Sequence, residues 1–449
     1  MTEFVKRRGW APRVRYPTLT REEDVLLHAS SRSERATDRG DLLVVSPDAP
    51  GPLDQGFRIR VHHLAAALAE AGYRVTLLAP PAGPDGDDAL DRLGVEVVAA
   101  GTSIVRPVER RQARISRALR LLAGYPPPGA LAARADTMRP TLARLLAERA
   151  FDAVQVEVPE FVEAASTSDA PVVLDAHNIW WELTARRQTI DPWAMRRAVR
   201  AIGLRPQRMR EERAWRRADL CLTTSEREGA IVRAAGARRV AVVPNGVDPD
   251  AHQPMDGLGA GGDPGRGGNA DAPTLVFVGL LGYEPNADAV THLIRDILPL
   301  IHEDRPGVHV QVVGDGASAE LLRLARPGVV FTGRVPDVRP YVTAADAVVV
   351  PLRSGSGTRF KILEALALGR PVVTTTMGGE GLDLIDGQHA LIADGPSAFA
   401  RAVGRVLSDD RLARELGTNG RALVKQSYGW PEIGARLAEA YDQLLGRAG

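Results

Sequence analysis

The chain has 449 residues, 44% hydrophobic and 25% charged, ordinary values for a soluble globular protein and too long for one core. A net charge of +1 selects no partner through its overall field and leaves no nucleic-acid footprint. The lone cysteine, Cys221, excludes a disulfide framework or a cysteine-rich metal site within one chain.

Residues 1–40 are polar, Arg-rich and aperiodic, and read as a weakly ordered N-terminal extension without the apolar core of a signal peptide. Order is expected from "DLLVVSP" (41–47), an apolar run stopped by a turn, as in a buried parallel strand. "RIRVHHLAAALAEAGY" (58–73) then spaces apolar residues at helical intervals, and "RVTLLAP" (74–80) is the next strand, which completes a βαβ unit. Strand-like runs recur at 94–100, 152–158, 170–177, 218–225 and 239–246. Cys221 lies in one of them, "ADLCLTT", and reads as a small core residue.

Residues 252–273 are glycine-rich and lack apolar periodicity, so they read as a flexible connection. The rhythm restarts with a strand at 274–280, a helix at 286–303, and strands at 308–316, 329–335, 347–353 and 370–376. The fold class is therefore α/β, with two doubly wound domains: 41–251, then 274–428 after the connection. Residues 429–449 supply a last helix. No apolar run approaches the roughly 18 residues of a membrane span. The expected location is cytoplasmic, with peripheral contact at the inner membrane face left open. Two Arg-rich segments bear on that contact: 102–121, with six Arg against one Glu, and 186–217, with eleven Arg against Asp191, Glu211 and Glu212. Both read first as solvated helix faces, with attraction to an anionic substrate or an anionic membrane surface as the alternative.

Doubly wound sheets bind ligands beyond the carboxyl ends of their strands, and four such loops are unusual. "SPDAPGPLDQGFRIR" (46–60) leads into a helix carrying Arg58 and Arg60, an anion site or a plain surface loop. "DAHNIWW" (175–181) offers His177 as proton donor or hydrogen-bond partner, unless Asp175 or Asn178 simply caps the next helix. No second ligand lies at helical spacing from His177, so no metal is expected there. "FVGLLGYEPNAD" (277–288) sets Gly279 and Gly282 after a strand, with Asn286 as a helix cap. "SGSGTRFKILEALALGRPVV" (354–373) is the richest. Gly355 and Gly357 permit close backbone approach, and the following helix points its free N–H groups forward. Arg359 supplies a planar fork and Lys361 a point charge, both suited to phosphate. Glu364 shares a helix face with Lys361 among apolar neighbours and needs a partner, either Lys361 or ligand hydroxyls. Neither a Walker A loop nor a dinucleotide fingerprint is present. "DPD" at 248–250 reads as a turn.

Together these residues resemble the retaining glycosyltransferases of the GT-B fold, family 4, over nearly all of 41–449. The most specific parts are "PNGVD" (244–248), "FVGLLGYEPNADAV" (277–290), residues 335–382 and "YGWPEIGARLAEAY" (428–441). The "GYEPN" and "DVRPY" spellings are similar to the exopolysaccharide subgroup. The resemblance implies two Rossmann-like domains facing across a cleft, with the final helix crossing back to the first domain. The N-terminal domain would bind a glycan or lipid-linked acceptor, and the second domain a nucleotide-sugar donor. It further implies Arg359 and Lys361 on the diphosphate, Glu364 on the ribose, and His177 near the transferred sugar. Other donor contacts would come from Gly56, Gly279 and Asn286, from Gly355, Ser356, Gly357 and Thr358, and from Gly379, Glu380, Gly381 and Leu382. Ser356 stands where the family places the first acid of its E-x7-E motif, and Leu280 and Pro285 stand where relatives carry Arg and Lys. Arg359 and Lys361 would then supply the missing charge. No cofactor and no metal are implied, and the transfer would retain anomeric configuration. The competing readings are a nucleotide-sugar epimerase of the same fold and a non-catalytic sugar-nucleotide-binding subunit.

Overall fold

The structure, a computed structural model, describes residues 39–53, 55–81, 88–100, 130–190, 194–252 and 272–447. The extension before Arg39, the Arg-rich segment 102–121 and nearly all of the 252–273 connection lie outside them.

Two all-parallel sheets carry the fold. The first has seven strands: β1 (Asp41–Val45), β2 (Arg74–Ala79), β3 (Val95–Ala99), β4 (Ala153–Val156), β5 (Val172–Ala176), β6 (Leu220–Thr223) and β7 (Val240–Val242), in the order β3-β2-β1-β4-β5-β6-β7. The second has six: β8 (Thr274–Val278), β9 (His309–Val313), β10 (Val329–Gly333), β11 (Ala347–Val350), β12 (Val372–Thr374) and β13 (Leu391–Ile392), in the order β10-β9-β8-β11-β12-β13. The central strands β4, β5 and β11 are buried along their whole length, because helices cover both faces of each sheet. In each sheet the strand order reverses once, between β1 and β4 and between β8 and β11. Such a reversal opens a crevice at the strand carboxyl ends. The loops after β1, β4, β5, β8 and β11 start at these two crevices.

The strand runs of the sequence appear in their expected order. The two-residue β13 carries too little pattern to be read. The helix expected over 286–303 is instead Glu284–His292, a π turn at Leu293–Ile297, and Leu298–Asp304. Pro299 explains the break, since it cannot donate to the preceding turn.

The last helix, Trp430–Leu444, sends Ile433, Leu437, Ala440 and Tyr441 into the core that lies under β1, β2 and the helix Gly56–Glu70. Its start is fixed by a parallel bridge between Val247 and Gly429. Tyr441 donates its hydroxyl to Gln155 Oε1 at 2.6 Å, which ties the helix to β4. Cys221 is fully buried, and Asp248 accepts from the N–H groups of Asp250 and Ala251, so "DPD" is an Asx-type turn.

Candidate active site

At the end of β4 and β5, four ionisable side chains meet in the first domain. Arg60, on the helix Gly56–Glu70, is 1% exposed and grips Asp175 with two bonds of 2.8 Å. Its third nitrogen donates to the carbonyls of Val243 and Pro244 and to Asn245. Arg60 is therefore fully used inside the domain and is no anion site, and Arg58 pairs with Asp48. Glu157 accepts from Gln155 and lies 2.6 Å from His177 Nε2, and the imidazole stacks on Phe57 at 4.4 Å. Burial raises the Glu157 carboxyl, opposed by His177. Burial would also raise Asp175, but the Arg60 and His177 charges hold it below its ordinary range. Asp175 thus pairs with a buried cation instead of capping a helix. The helix Trp180–Ile190 sends its first N–H to Glu211 at 2.9 Å.

Ligand atoms of Glu157, Asp175 and His177 lie within 4.8 Å of one another, a set that could hold a divalent ion. Arg60 already neutralises Asp175, and a cation would have to displace it or share the carboxylate.

Across the cleft, β11 delivers residues 351–359 to the amino end of the helix Phe360–Ala367. Gly357 has φ +73, and a Cβ there would meet Asn178 Oδ1 and the His177 carbonyl at 2.8 Å. Glycine is thus required both for the left-handed backbone and for the close approach of His177. Arg359 is 9% exposed and turns its guanidinium onto the carbonyls of its own loop, Ser356 and Gly357. Among the described residues, Arg359 Nε, Thr358 Oγ1 and Ser354 Oγ are buried without a hydrogen-bond partner. Three orphaned polar atoms within six residues are costly unless a ligand meets them.

Lys361 donates to Asn286 Oδ1 at 2.7 Å and lies 4.2 Å above the Phe277 ring. A Cβ on Gly279 would come within 2.7 Å of its ammonium nitrogen, so a larger residue after β8 would push the Lys361 and Asn286 side-chain tips aside. Burial and the Arg359 charge push Lys361 down to about 7, against the pull of Glu364. Because Lys361 turns to Asn286, it does not pair with Glu364. Among the described residues the Glu364 carboxylate makes no hydrogen bond, and burial raises it, opposed by His252 and Lys361. Asn286 lies inside its helix, joined to Lys361 and to the Leu280 carbonyl, and Tyr283 is the cap position.

The turn 379–382 completes the wall. Gly381 lies beside Thr358 and Ser225, and Leu382 closes back on the Gly379 carbonyl. Glu380 is held by Arg186 and Arg227 of the first domain. Gly56 lies against the Phe360 ring. The structure therefore gathers most of the expected residues in two groups, Gly279–Asn286–Lys361 and 354–359 with 379–382, and the His177 backbone carbonyl touches the second at Gly357. Sequence reasoning missed Glu157, Arg186, Arg227 and Glu228. Glu157 was visible as a polar interruption of an apolar strand run, whereas the other three lie on helices with no local mark. A surface cavity of about 980 Å³ between the helices Leu298–Asp304 and Pro396–Ser408 contains none of these residues.

Two parallel sheets with a shared polar cleft define the class as a GT-B fold, and solved structures agree. Sucrose-phosphate synthase from Thermosynechococcus elongatus superposes with a TM-score of 0.70 at 20% identity, over 91% of this chain and all (100%) of that one. Anabaena HepE, solved with UDP and glucose, gives 0.61 at 17% identity, over 89% and 99%. Residues 55–246 match the family model described as glycosyl transferase 4-like domain, and residues 272–409 that of glycosyl transferases group 1. The chain thus has the GT-B fold, and its two domains each resemble a glycosyltransferase family model. A GDP-mannose-dependent phosphatidylinositol monomannoside mannosyltransferase of Mycolicibacterium smegmatis is 33% identical over 44% of this chain and 54% of its own. A D-inositol 3-phosphate glycosyltransferase of Streptomyces bingchenggensis is 29% identical over 55% and 56%. The chain thus spans about half the length of these two curated relatives. It also matches glycogen synthase of Mycobacterium tuberculosis at 27% identity over 89% of this chain and 94% of that one.

Proposed function

We propose that the chain transfers a sugar from a nucleotide-diphosphate sugar to a glycan, lipid-linked or small-molecule acceptor, with retention at the anomeric carbon and without a metal. The observation that carries this reading is the loop 354–359. Arg359 and the half-buried Lys361 stand at a helix amino end, and the loop's three orphaned polar atoms would gain partners if the loop adjusted around a leaving diphosphate. Glu364, free of Lys361, is available to ribose hydroxyls. The His177 backbone carbonyl touches the same loop at Gly357 from the first domain, and Glu157 and Phe57 hold its imidazole beside it. Retention follows from the family resemblance. Metal independence is supported by Arg60, which already supplies the positive charge at Asp175.

The acceptor domain also exposes a basic helix, Ala194–Arg217, on which Ile202 (62% exposed) and Met209 (58%) stand among exposed arginines. Peripheral contact with an anionic cytoplasmic leaflet fits that face. Among the described residues no helix is long and apolar enough to cross a membrane.

The test is a thermal-shift panel of UDP-, GDP-, ADP- and TDP-sugars, followed by proton NMR of the product's anomeric configuration, with and without EDTA. One donor should stabilise the protein and yield a retained glycoside in chelator. Donor conversion without acceptor would instead indicate an epimerase, and tight binding without turnover a binding subunit.

A further inference from the structure

The loop that would meet the diphosphate is held in place mainly by the opposite domain. Glu228, on the helix Glu226–Ala234 after β6, is 3% exposed. One of its oxygens, Oε1, accepts from the Ser356 hydroxyl and from the Gly357 N–H, both at 3.0 Å. Its other oxygen accepts from Thr224 at 2.6 Å. The Ser356 hydroxyl in turn accepts from the Ile179 N–H at 3.0 Å. Arg186 donates to the Gly355 carbonyl at 2.7 Å. Asn178, with its amide oriented to satisfy both neighbours, donates to the Ser356 carbonyl at 2.8 Å. Three consecutive residues of the second domain, 355–357, are thus bonded to four residues of the first. The orphaned atoms of Ser354, Thr358 and Arg359 flank this gripped segment on both sides.

We propose that Glu228 is a positioning residue: through Ser356 and Gly357 it fastens the two domains together and sets the donor loop, so that the loop takes its binding shape only when the cleft is closed. A buried carboxylate with a hydroxyl, an N–H and a threonine as donors is fully satisfied in this state. Opening the cleft breaks two of those bonds and frees the glycine-flanked loop. Serine at 356 has a specific use under this arrangement. Its hydroxyl donates to one group and accepts from another of the first domain, which a carboxylate side chain could not do. An acid at 356 would also face Glu228 at contact distance, a like-charge pair without water.

The consequence for donor affinity rests on the donor reading above, whereas the fastening itself does not. The two are therefore measured separately. Spin labels at introduced cysteines, Arg144→Cys and Glu303→Cys, both exposed, report the interdomain distance by double electron–electron resonance without nucleotide. Wild type and Glu228→Gln should share one narrow distance, because the amide oxygen still accepts both bonds. Glu228→Ala and Ser356→Glu should add a longer-distance population. The double variant Glu228→Gln with Ser356→Glu should return toward the narrow distance, since the amide can donate to the new carboxylate. In calorimetry with UDP-glucose and GDP-mannose, whichever nucleotide sugar binds wild type should bind Glu228→Ala about tenfold more weakly, as expected if the closed fraction falls to about one tenth. Circular dichroism melts confirm that each variant folds, and Ser356→Ala repeats the loss of the fastening if Glu228→Ala does not fold. A Glu228→Ala or Ser356→Ala distance distribution that superposes on wild type would overturn the proposal, as would unimpaired closure in Ser356→Glu. Absence of nucleotide-sugar binding by wild type would leave the distance result standing and sink the donor reading alone.

Discussion

Lys361 makes the affinity for a nucleotide sugar depend on pH in a defined direction. Burial and the Arg359 charge push its pKa down from 10.5 to about 7, so the group titrates through the neutral range. A bound diphosphate lies against that nitrogen and favours the charged form, which restores the pKa toward its ordinary value. Binding then takes up a proton wherever the free protein has lost it. The affinity is full below pH 7 and falls about tenfold per unit above it, which between pH 7 and 9 amounts to about 50-fold, or about 2.3 kcal/mol. The linkage also acts on folding. The folded pKa lies below the unfolded one, so this group makes stability rise with pH between about 7 and 10.5. The assay is calorimetric titration of the stabilising nucleotide sugar from pH 6 to 9, in buffers of differing ionisation enthalpy. Proton uptake should be near 0.9 per site at about pH 8 and small at pH 6. Lys361→Met should bind weakly at every pH and lose the slope. A flat profile in wild type, or the same slope in Lys361→Met, would refute the placement of this ammonium on the diphosphate.

Other perturbations separate scaffold from site. Arg60→Met strands the Asp175 carboxylate beside Glu157 and should cost about 3–5 kcal/mol in urea unfolding, and a loss below about 1 kcal/mol would contradict the pairing. Gly279→Ala places a methyl against the Lys361 nitrogen and the Asn286 amide. It should weaken nucleotide-sugar binding by about 1–3 kcal/mol with unchanged circular dichroism, and unaltered binding would show that the contact is slack. Burial pushes Cys221 up to about 12, so a thiol reagent should label it only after denaturation, and rapid labelling of the folded protein would contradict its core position.

The sheets were legible because parallel strands buried on both faces read as continuous apolar runs, as in "DLLVV" and "AVVV". The loop 354–359 was legible because its glycines, basic pair and following helix are contiguous in the chain. The opposite wall was not. Glu228 follows the cap Ser225 and reads as an ordinary first-turn acid, and only the closure of the two domains brings it to Ser356. Arg186 lies in an Arg-rich run that suggested a solvated face, yet it binds Glu380 and the Gly355 carbonyl across the cleft. The pairing of Arg60 with Asp175 spans 115 positions, beyond any local pattern, and it removed an anion site that the helix start had suggested.

The most direct test of the central claim is calorimetry of wild type and the Arg359→Ala, Lys361→Ala double variant against UDP-glucose, GDP-mannose, ADP-glucose and TDP-glucose. One of these should bind wild type saturably, and the double variant should lose about a hundredfold or more of that affinity, the loss expected for two charge-assisted contacts to a diphosphate. Equal affinity in the two proteins, or no binding of any of the four to wild type, would contradict the assignment of the 354–361 segment as the donor site.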